Sequence, residues 1–294
     1  MKGSSMLLAG ILSAGLVLSG CDRSAGSERG KPGPDLAVPE QAHPAFDSLM
    51  SAAMQDEWHR LPIGQIVQNV ALRFVGAPYE AGLLDQSPVE TLVASFETFD
   101  CVLLVETAVA AARSIREQDY TYSGYLDNLR SLRYRSGVED GYCSRLHYFS
   151  EWILDNERRG TVRNITAELG GDQLEKRLDF MSTHRGSYPR FAEDDSLFAG
   201  IVEMEASLEN LKLFYVPQGR IREVYDRLEA GDIIATATSI KGLDVSHSGL
   251  VYRDENSVGF LHASTSGGVM VSPDLQRYVE NIEIQIGIVV VRPL

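Results

Sequence analysis

Phe96-Glu97-Thr98-Phe99-Asp100-Cys101-Val102-Leu103-Leu104-Val105-Glu106-Thr107-Ala108-Val109-Ala110-Ala111-Ala112 is the stretch that decides how this chain is read. An extended Phe-x-x-Phe segment gives way at a cysteine to a long Ala/Val/Leu run. Val102, Val105, Val109 and Ala112 recur at helical spacing, which predicts a buried helix beginning near Cys101. Thr98 or Asp100 is its expected cap. A thiol in the first turn of a helix faces unpaired backbone N–H groups and the positive end of the macrodipole. Both favour the thiolate, the nucleophilic form. A lone cysteine on an apolar helix is more often inert core. A chemical role for Cys101 therefore needs a partner elsewhere in the chain.

Two histidines downstream are the candidates. His247 heads His247-Ser248-Gly249-Leu250-Val251-Tyr252-Arg253, and His262 lies near the end of Val258-Gly259-Phe260-Leu261-His262-Ala263-Ser264-Thr265. Asp254-Glu255-Asn256-Ser257 is turn-like, so the two runs form a hairpin. With a four-residue loop Arg253 faces Val258 and, counting back, Gly249 faces His262. His247 and His262 are then diagonal neighbours on one sheet face, roughly 5–8 Å apart at Cβ. A three-residue loop would put them on opposite faces. A metal pair would want a third ligand. Asp244 is available, but the chain has no CxxC and no close Cys/His cluster, so no metal site is expected. A cysteine with two imidazoles fits a thiol–imidazole catalyst better: one ring takes the thiol proton and the second fixes its tautomer.

Outward from these runs, helices are expected over 46–61 and 63–75, separated by Pro62, with a third over 88–94. Residues 120–141 read as an aromatic loop. Leu146, Phe149 and Ile153 share a face, which predicts a helix over 143–154 capped by Ser144. A short strand is expected over 161–165 and a helix over 196–213. From Gly231 the hydrophobic period changes to two: 232–237, 247–253, 258–263, 268–272 and 282–291 read as strands, with a helical insertion at 273–279. Helices first and strands later indicate an α+β fold, an antiparallel sheet with helices packed on one side.

The start of the chain reads as an address. Lys2 precedes an apolar run from Met6 to Leu18, too short to span a bilayer as a mature helix and suited to a signal-peptide core. It ends in Leu18-Ser19-Gly20-Cys21, which resembles a bacterial lipobox. This implies lipidation at Cys21 and a periplasmic protein tethered to a membrane, and Asp22 favours the inner one. The expected organisation is signal peptide over 1–21, flexible Gly/Pro/Ser-rich tether over 22–45 and one domain over 46–294. The net charge is −14 and no basic cluster occurs, which argues against nucleic acid and leaves membrane attachment to the lipid. Of three cysteines, Cys101 and Cys143 remain after lipidation. A disulfide between them is the competing reading, and it would block the nucleophile.

Five elements in order resemble NlpC-type cell-wall hydrolases, papain-like cysteine peptidases and amidases acting on peptidoglycan: Gly76-Ala77-Pro78-Tyr79, Asp100-Cys101, Gly231-Asp232-Ile233-Ile234, His247-Ser248-Gly249-Leu250-Val251-Tyr252 and His262-Ala263-Ser264-Thr265. Ser144-Arg145-Leu146-His147-Tyr148, the approach Gly242 to His247 and the closing Val291-Arg292-Pro293 resemble the N-acetylmuramoyl-L-alanine amidase-like branch. Ala81-Gly82-Leu83 stands where the superfamily has two glycines. The resemblance implies a papain-like fold and cleavage between the lactyl group of muramic acid and L-alanine. Muropeptides, including anhydro forms, are the implied partners; no cofactor is needed, and a monomer is expected.

Carried over, Cys101 is the nucleophile, His247 the base and acid, and His262 the orienting residue. Tyr79, Arg145, His147, Tyr148 and Ser246 are the substrate-side candidates. Arg145 is equally readable as a structural ion pair and His147 as a core histidine. Arg135 is a further candidate, and Asp244 is expected to shape the loop before His247. Two rival functions are an endopeptidase cutting between D-glutamate and diaminopimelate, and a lipoprotein that binds murein without cutting it.

Overall fold

The computed structural model describes residues 43–294. The expected signal peptide, Cys21 and nearly all of the expected tether lie outside the described residues. Pro44–Leu294 forms one compact unit. In chain order it contains α1 (Pro44–Gln55), α2 (Ile63–Leu72), α3 (Cys101–Glu117), α4 (Tyr122–Arg133), α5 (Phe149–Arg158), β1 (Val162–Asn164), β2 (Asp172–Leu174), α6 (Phe180–Thr183), α7 (Pro189–Ala192) and α8 (Asp195–Ser207). There follow β3 (Leu213–Pro217), β4 (Ile233–Thr238), β5 (Val245–Arg253), β6 (Val258–Ser264), β7 (Gly268–Ser272), α9 (Leu275–Glu280) and β8 (Gln285–Pro293). Among the described residues no helix is long and apolar enough to cross a membrane.

The strands pair antiparallel in the order β2-β3-β8-β4-β5-β6-β7, with β1 also on β8. Alternation along each strand feeds two cores. Ile233, Ala235, Leu250, Leu261, Val289 and Val291 face α1 to α5. Ile234, Val251, Phe260, Ile288 and Val290 face the other way, against α9 and the 3-10 turns of 218–227. Each fully buried side chain of this kind stabilises by roughly 1.5–3 kcal/mol. The sheet is thus covered on both sides, not one as the order of elements suggested. Buried on both faces, β4 and β8 read as near-continuous apolar runs.

Four local expectations are corrected. Residues 120–141 contain α4: Tyr125, Asn128, Leu129, Leu132 and Arg133 are buried at helical spacing, and Thr121 caps them by accepting from Gly124 N at 3.1 Å. The helix expected at 143–154 starts at Phe149, because residues 142–144 form a 3-10 turn and the Ser144 hydroxyl donates to Gly141 O instead. Residues 88–94 are not helical: Leu92, Ala94 and Phe96 turn inward at a period of two. The helix expected through Leu213 ends at Ser207, and Leu213 opens β3.

Candidate active site

The head of α3 is fixed from both sides. Asp100, not Thr98, is the cap: its Oδ1 accepts from Leu103 N at 2.7 Å. Cys101 is the first residue of the helix. The segment before it runs parallel to Gly76–Tyr79, with Phe99 N donating to Pro78 O and Glu80 N to Phe99 O, each at 3.1 Å. Gly76–Tyr79 is held in turn on the edge of β7, through Gly76 N to Val269 O and Val269 N to Ala77 O at 2.8 Å. Gly268 permits that approach: its φ is +70°, and a Cβ there would lie 2.2 Å from Ala77 O.

The hairpin has the register counted from sequence. Arg253 pairs with Val258, Tyr252 with Gly259, Val251 with Phe260 and Leu250 with Leu261. Continuing, Gly249 meets His262, where a Cβ would lie 2.8 Å from the histidine Cβ. The imidazoles meet edge to face, with His247 Nε2 2.9 Å from His262 Nδ1. The next hydrogen bond joins His262 Nε2 to Ser272 Oγ at 3.1 Å. Phe260 lies flat on His262 with ring centres 4.7 Å apart, and Tyr278 of α9 contacts both histidines.

His247, Ser248 and Cys101 line one cleft of about 350 Å³, together with Arg145, His147, Tyr148 and Ser246. Tyr79 and His262 are outside that lining set. Tyr79 sits beside the head of α3, and its hydroxyl is pushed up to about 12, first by burial and then by the charges of Cys101 and Asp100. His262 stands behind His247. Cys101 and Cys143 are both free, so the competing disulfide is not formed. The Cys143 sulfur lies 3.7 Å from Leu197 O.

The electrostatics correct one expectation. Burial first, and Asp100 second, push the Cys101 thiol up to about 11, although the Ser248 N–H and hydroxyl work in the opposite direction. Burial, then His262, pushes His247 down to about 3. The helix end does not outweigh loss of solvent, and the resting groups are a neutral thiol and a neutral imidazole.

Residues 69–288 match the sequence profile of the AmiA-like family, described as N-acetylmuramoyl-L-alanine amidase-like. The chain belongs to that family. It is similar to the crystal structure of an N-acetylmuramoyl-L-alanine amidase from Bacteroides uniformis, at 31% identity over 79% of this chain and 98% of that one, with a TM-score of 0.75. A Bacteroides fragilis protein carrying a provisional xylanase name is similar at 33% identity over 76% and 99% of the two chains, with a TM-score of 0.72. A Legionella pneumophila protein shares the fold at 19% identity and a TM-score of 0.62, covering 85% of this chain and 94% of its own. A search of proteins of curated function gave no match.

In this member of the family the substrate-side candidates differ in what they have left to offer. Arg145 is 5% exposed and engaged: it donates to Leu84 O at 2.8 Å and Asp85 Oδ1 at 2.5 Å, lies 3.7 Å from Glu90 and stacks over Tyr142. The ion-pair reading describes these contacts, which hold the 84–90 wall of the cleft. His147 Nε2 donates to Tyr142 O at 2.9 Å, which leaves Nδ1 as an acceptor, and burial pushes the ring down to about 3. The Tyr148 hydroxyl donates to Glu205 at 2.7 Å and accepts from Met181 N at 3.1 Å, so the cleft meets its ring. Ser246 shares a 3.3 Å contact with Thr236. Arg135 pairs with Glu151 away from the cleft lining.

Asp244 accepts from Ser150 N at 2.7 Å and Val245 N at 2.8 Å, capping α5 from 94 residues away while fixing the start of β5. Ser248, Ser272 and Tyr278 were not singled out from the sequence. Ser272 was within reach of the same register count, extended one strand further. Tyr278 carries no such signal.

Proposed function

We propose that this chain is a thiol-dependent, papain-like amidase that hydrolyses the bond between the lactyl group of N-acetylmuramic acid and L-alanine in peptidoglycan fragments. The observation that carries this reading is the 2.9 Å contact between His247 Nε2 and His262 Nδ1, in the cleft that Cys101 lines. With Nε2 committed to His262, Nδ1 is the His247 nitrogen left for a thiol proton. Because the resting pair is neutral, proton transfer accompanies attack. The S–H proton moves to His247 Nδ1 as the sulfur adds to the acyl carbon. N–H groups at the head of α3, supported by the Tyr79 hydroxyl, receive the oxyanion; one such donor is worth roughly 3 kcal/mol. The imidazolium returns its proton to the leaving amine of L-alanine, and a thioester remains. His247 then deprotonates the water that releases the muramoyl carboxylate and restores the thiol.

Glycosidic cleavage, which a xylanase name would suggest, calls for a pair of carboxyl groups at the scissile bond. The acids lining this cleft are each held: Asp85 by Arg145, Asp100 by the α3 backbone, Glu106 by Arg133 and Trp152, and Asp244 by two backbone N–H groups. The lipobox-like Leu18–Cys21 complements the reading by placing the domain on a lipid anchor in the periplasm, beside its substrate.

The test is mass spectrometry of a purified anhydro-muropeptide after incubation with the full chain and with Cys101→Ala. The wild type is expected to release an intact peptide beginning with L-alanine. The variant is expected to lose activity by about 10³-fold or more. Turnover retained in Cys101→Ala, or release of fragments cut after D-glutamate, overturns the proposal.

A further inference from the structure

We propose that Ser272 is a positioning residue for the histidine pair: its hydroxyl accepts the Nε2–H of His262 when His247 takes the thiol proton, and so supports the charge that His247 gains. The inference rests on the thiol–imidazole reading above and adds a group that none of the motifs contains.

Three side chains on three successive strands stand in line, with His247 Nε2 2.9 Å from His262 Nδ1 and His262 Nε2 3.1 Å from Ser272 Oγ. Each contact holds one hydrogen, so two neutral imidazoles in this line have only two arrangements. In the first, Ser272 accepts from His262 Nε2–H, His262 Nδ1 accepts from His247 Nε2–H, and His247 Nδ1 is bare. In the second every donor is reversed, and His247 presents an N–H to the thiol that it cannot exchange for a proton. Only the first arrangement contains a base.

The surroundings leave the pair few other partners. Phe260 covers one face of the His262 ring, and Tyr278 packs against it at 4.6 Å. The titratable neighbours are His247 on β5 and Tyr278 on α9, with Cys101 close enough to act electrostatically on Tyr278. Ser272 ends β7 opposite Phe260, while Met270 lies opposite His262, so the hydroxyl reaches the imidazole diagonally.

The contribution grows during the reaction. While His247 is neutral, the serine hydroxyl can serve either arrangement, as donor or acceptor. Once His247 carries the thiol proton, its Nε2–H must donate to His262, and His262 Nε2–H must donate to Ser272. No second proton is transferred; the line only supports the positive charge on His247. An interaction that strengthens as charge develops raises kcat and leaves KM unchanged.

The experiment compares Ser272→Ala and Ser272→Asp with the wild type, by steady-state kinetics on the muropeptide and by ¹⁵N NMR of labelled histidines. For Ser272→Ala, kcat is expected to fall roughly 5- to 30-fold at constant KM, and the pH at which the histidine pair protonates is expected to fall. Aspartate only accepts. It is expected to lock both rings as Nε2–H, to raise the pH at which the pair protonates by about one unit or more, and to restore kcat relative to alanine. A structural serine would instead tolerate alanine better than a buried charge. Wild-type kcat in Ser272→Ala, or a protonation midpoint unmoved in Ser272→Asp, overturns the proposal. Cys101→Ala is run alongside: if that variant keeps turnover, the thiol reading fails, and the NMR arm alone decides the place of Ser272.

Discussion

Replacing Gly249 by alanine is expected to damage activity more than stability. The added Cβ would lie 2.6 Å from Leu261 O, 2.7 Å from Phe260 Cε2 and 2.8 Å from His262 Cβ. Two of those neighbours are backbone oxygen and a Cβ, which cannot rotate away. Reaching ordinary contact requires β5 and β6 to part by about 0.6–0.8 Å, and overpacking of this kind costs about 1–3 kcal/mol. Passed on to the histidines, the same movement stretches the 2.9 Å contact between Nε2 and Nδ1 to about 3.5 Å, the edge of hydrogen bonding. A misplacement approaching 1 Å costs on the order of 10²-fold in rate. The control is Gly171→Ala, where a Cβ would lie 2.8 Å from Thr166 O, outside the cleft lining. Both variants should melt about 2–12 °C below the wild type. Only Gly249→Ala should lose kcat/KM, measured by chromatography of muropeptide products. If Gly249→Ala melts early but turns over at the wild-type rate, or if the two variants lose activity equally, the histidine spacing is not what the glycine preserves.

Three further outcomes follow from the buried polar groups. His147, His247 and His262 are held below their ordinary range, at about 3, 3 and 4, so the unfolded chain binds more protons than the folded one as pH falls from about 6.5. Stability from these groups is therefore complete above that pH and is lost toward pH 3; His147→Gln, which keeps a donor for Tyr142 O, should flatten the fall of the unfolding free energy across that window, read by urea titration at each pH, by up to about 1.4 kcal/mol per pH unit. The Ser248 hydroxyl is buried, finds no oxygen or nitrogen partner and favours ionisation of Cys101. Ser248→Ala should slow iodoacetamide labelling of Cys101 by roughly five-fold at mildly alkaline pH, and an unchanged rate would exclude that role. Lys176 donates to the carbonyls of Thr238, Ile240 and Leu243, in the loop that leads to Asp244 and His247. Lys176→Met should cost about 1–3 kcal/mol in urea unfolding and raise KM through the loosened wall; an unaltered unfolding midpoint would contradict it.

Much of the site was legible because strands count in twos. The His247–His262 relation needed only a turn length and an alternation, and both survive in the structure. The head of α3 was legible from the capping position and the apolar run after it. Local signals failed where a distant group supplied what they seemed to promise. Ser144 looked like a cap, but the N–H of Ser150 is taken by Asp244, which no local reading connects to α5. α4 was passed over because aromatic and charged residues masked a helical stripe whose buried members include Asn128 and Arg133. The direction of the Cys101 shift was misread for the same reason: a helix terminus is visible in sequence, whereas the desolvation that outweighs it depends on what packs above.

The position of β8 has a consequence for how the site is held together. The last strand of the chain, Gln285–Pro293, is not at a margin of the sheet; it lies between β3 and β4 and also receives β1. The two parts of the sheet therefore cannot join until residues 285–293 have docked between β3 and β4. Until then β4, on which the strand bearing His247 rests, lacks its other neighbour, and the sulfur and imidazoles have no common framework. A form lacking residues 285–293 would leave β4 an open edge and the histidine pair without its inner support.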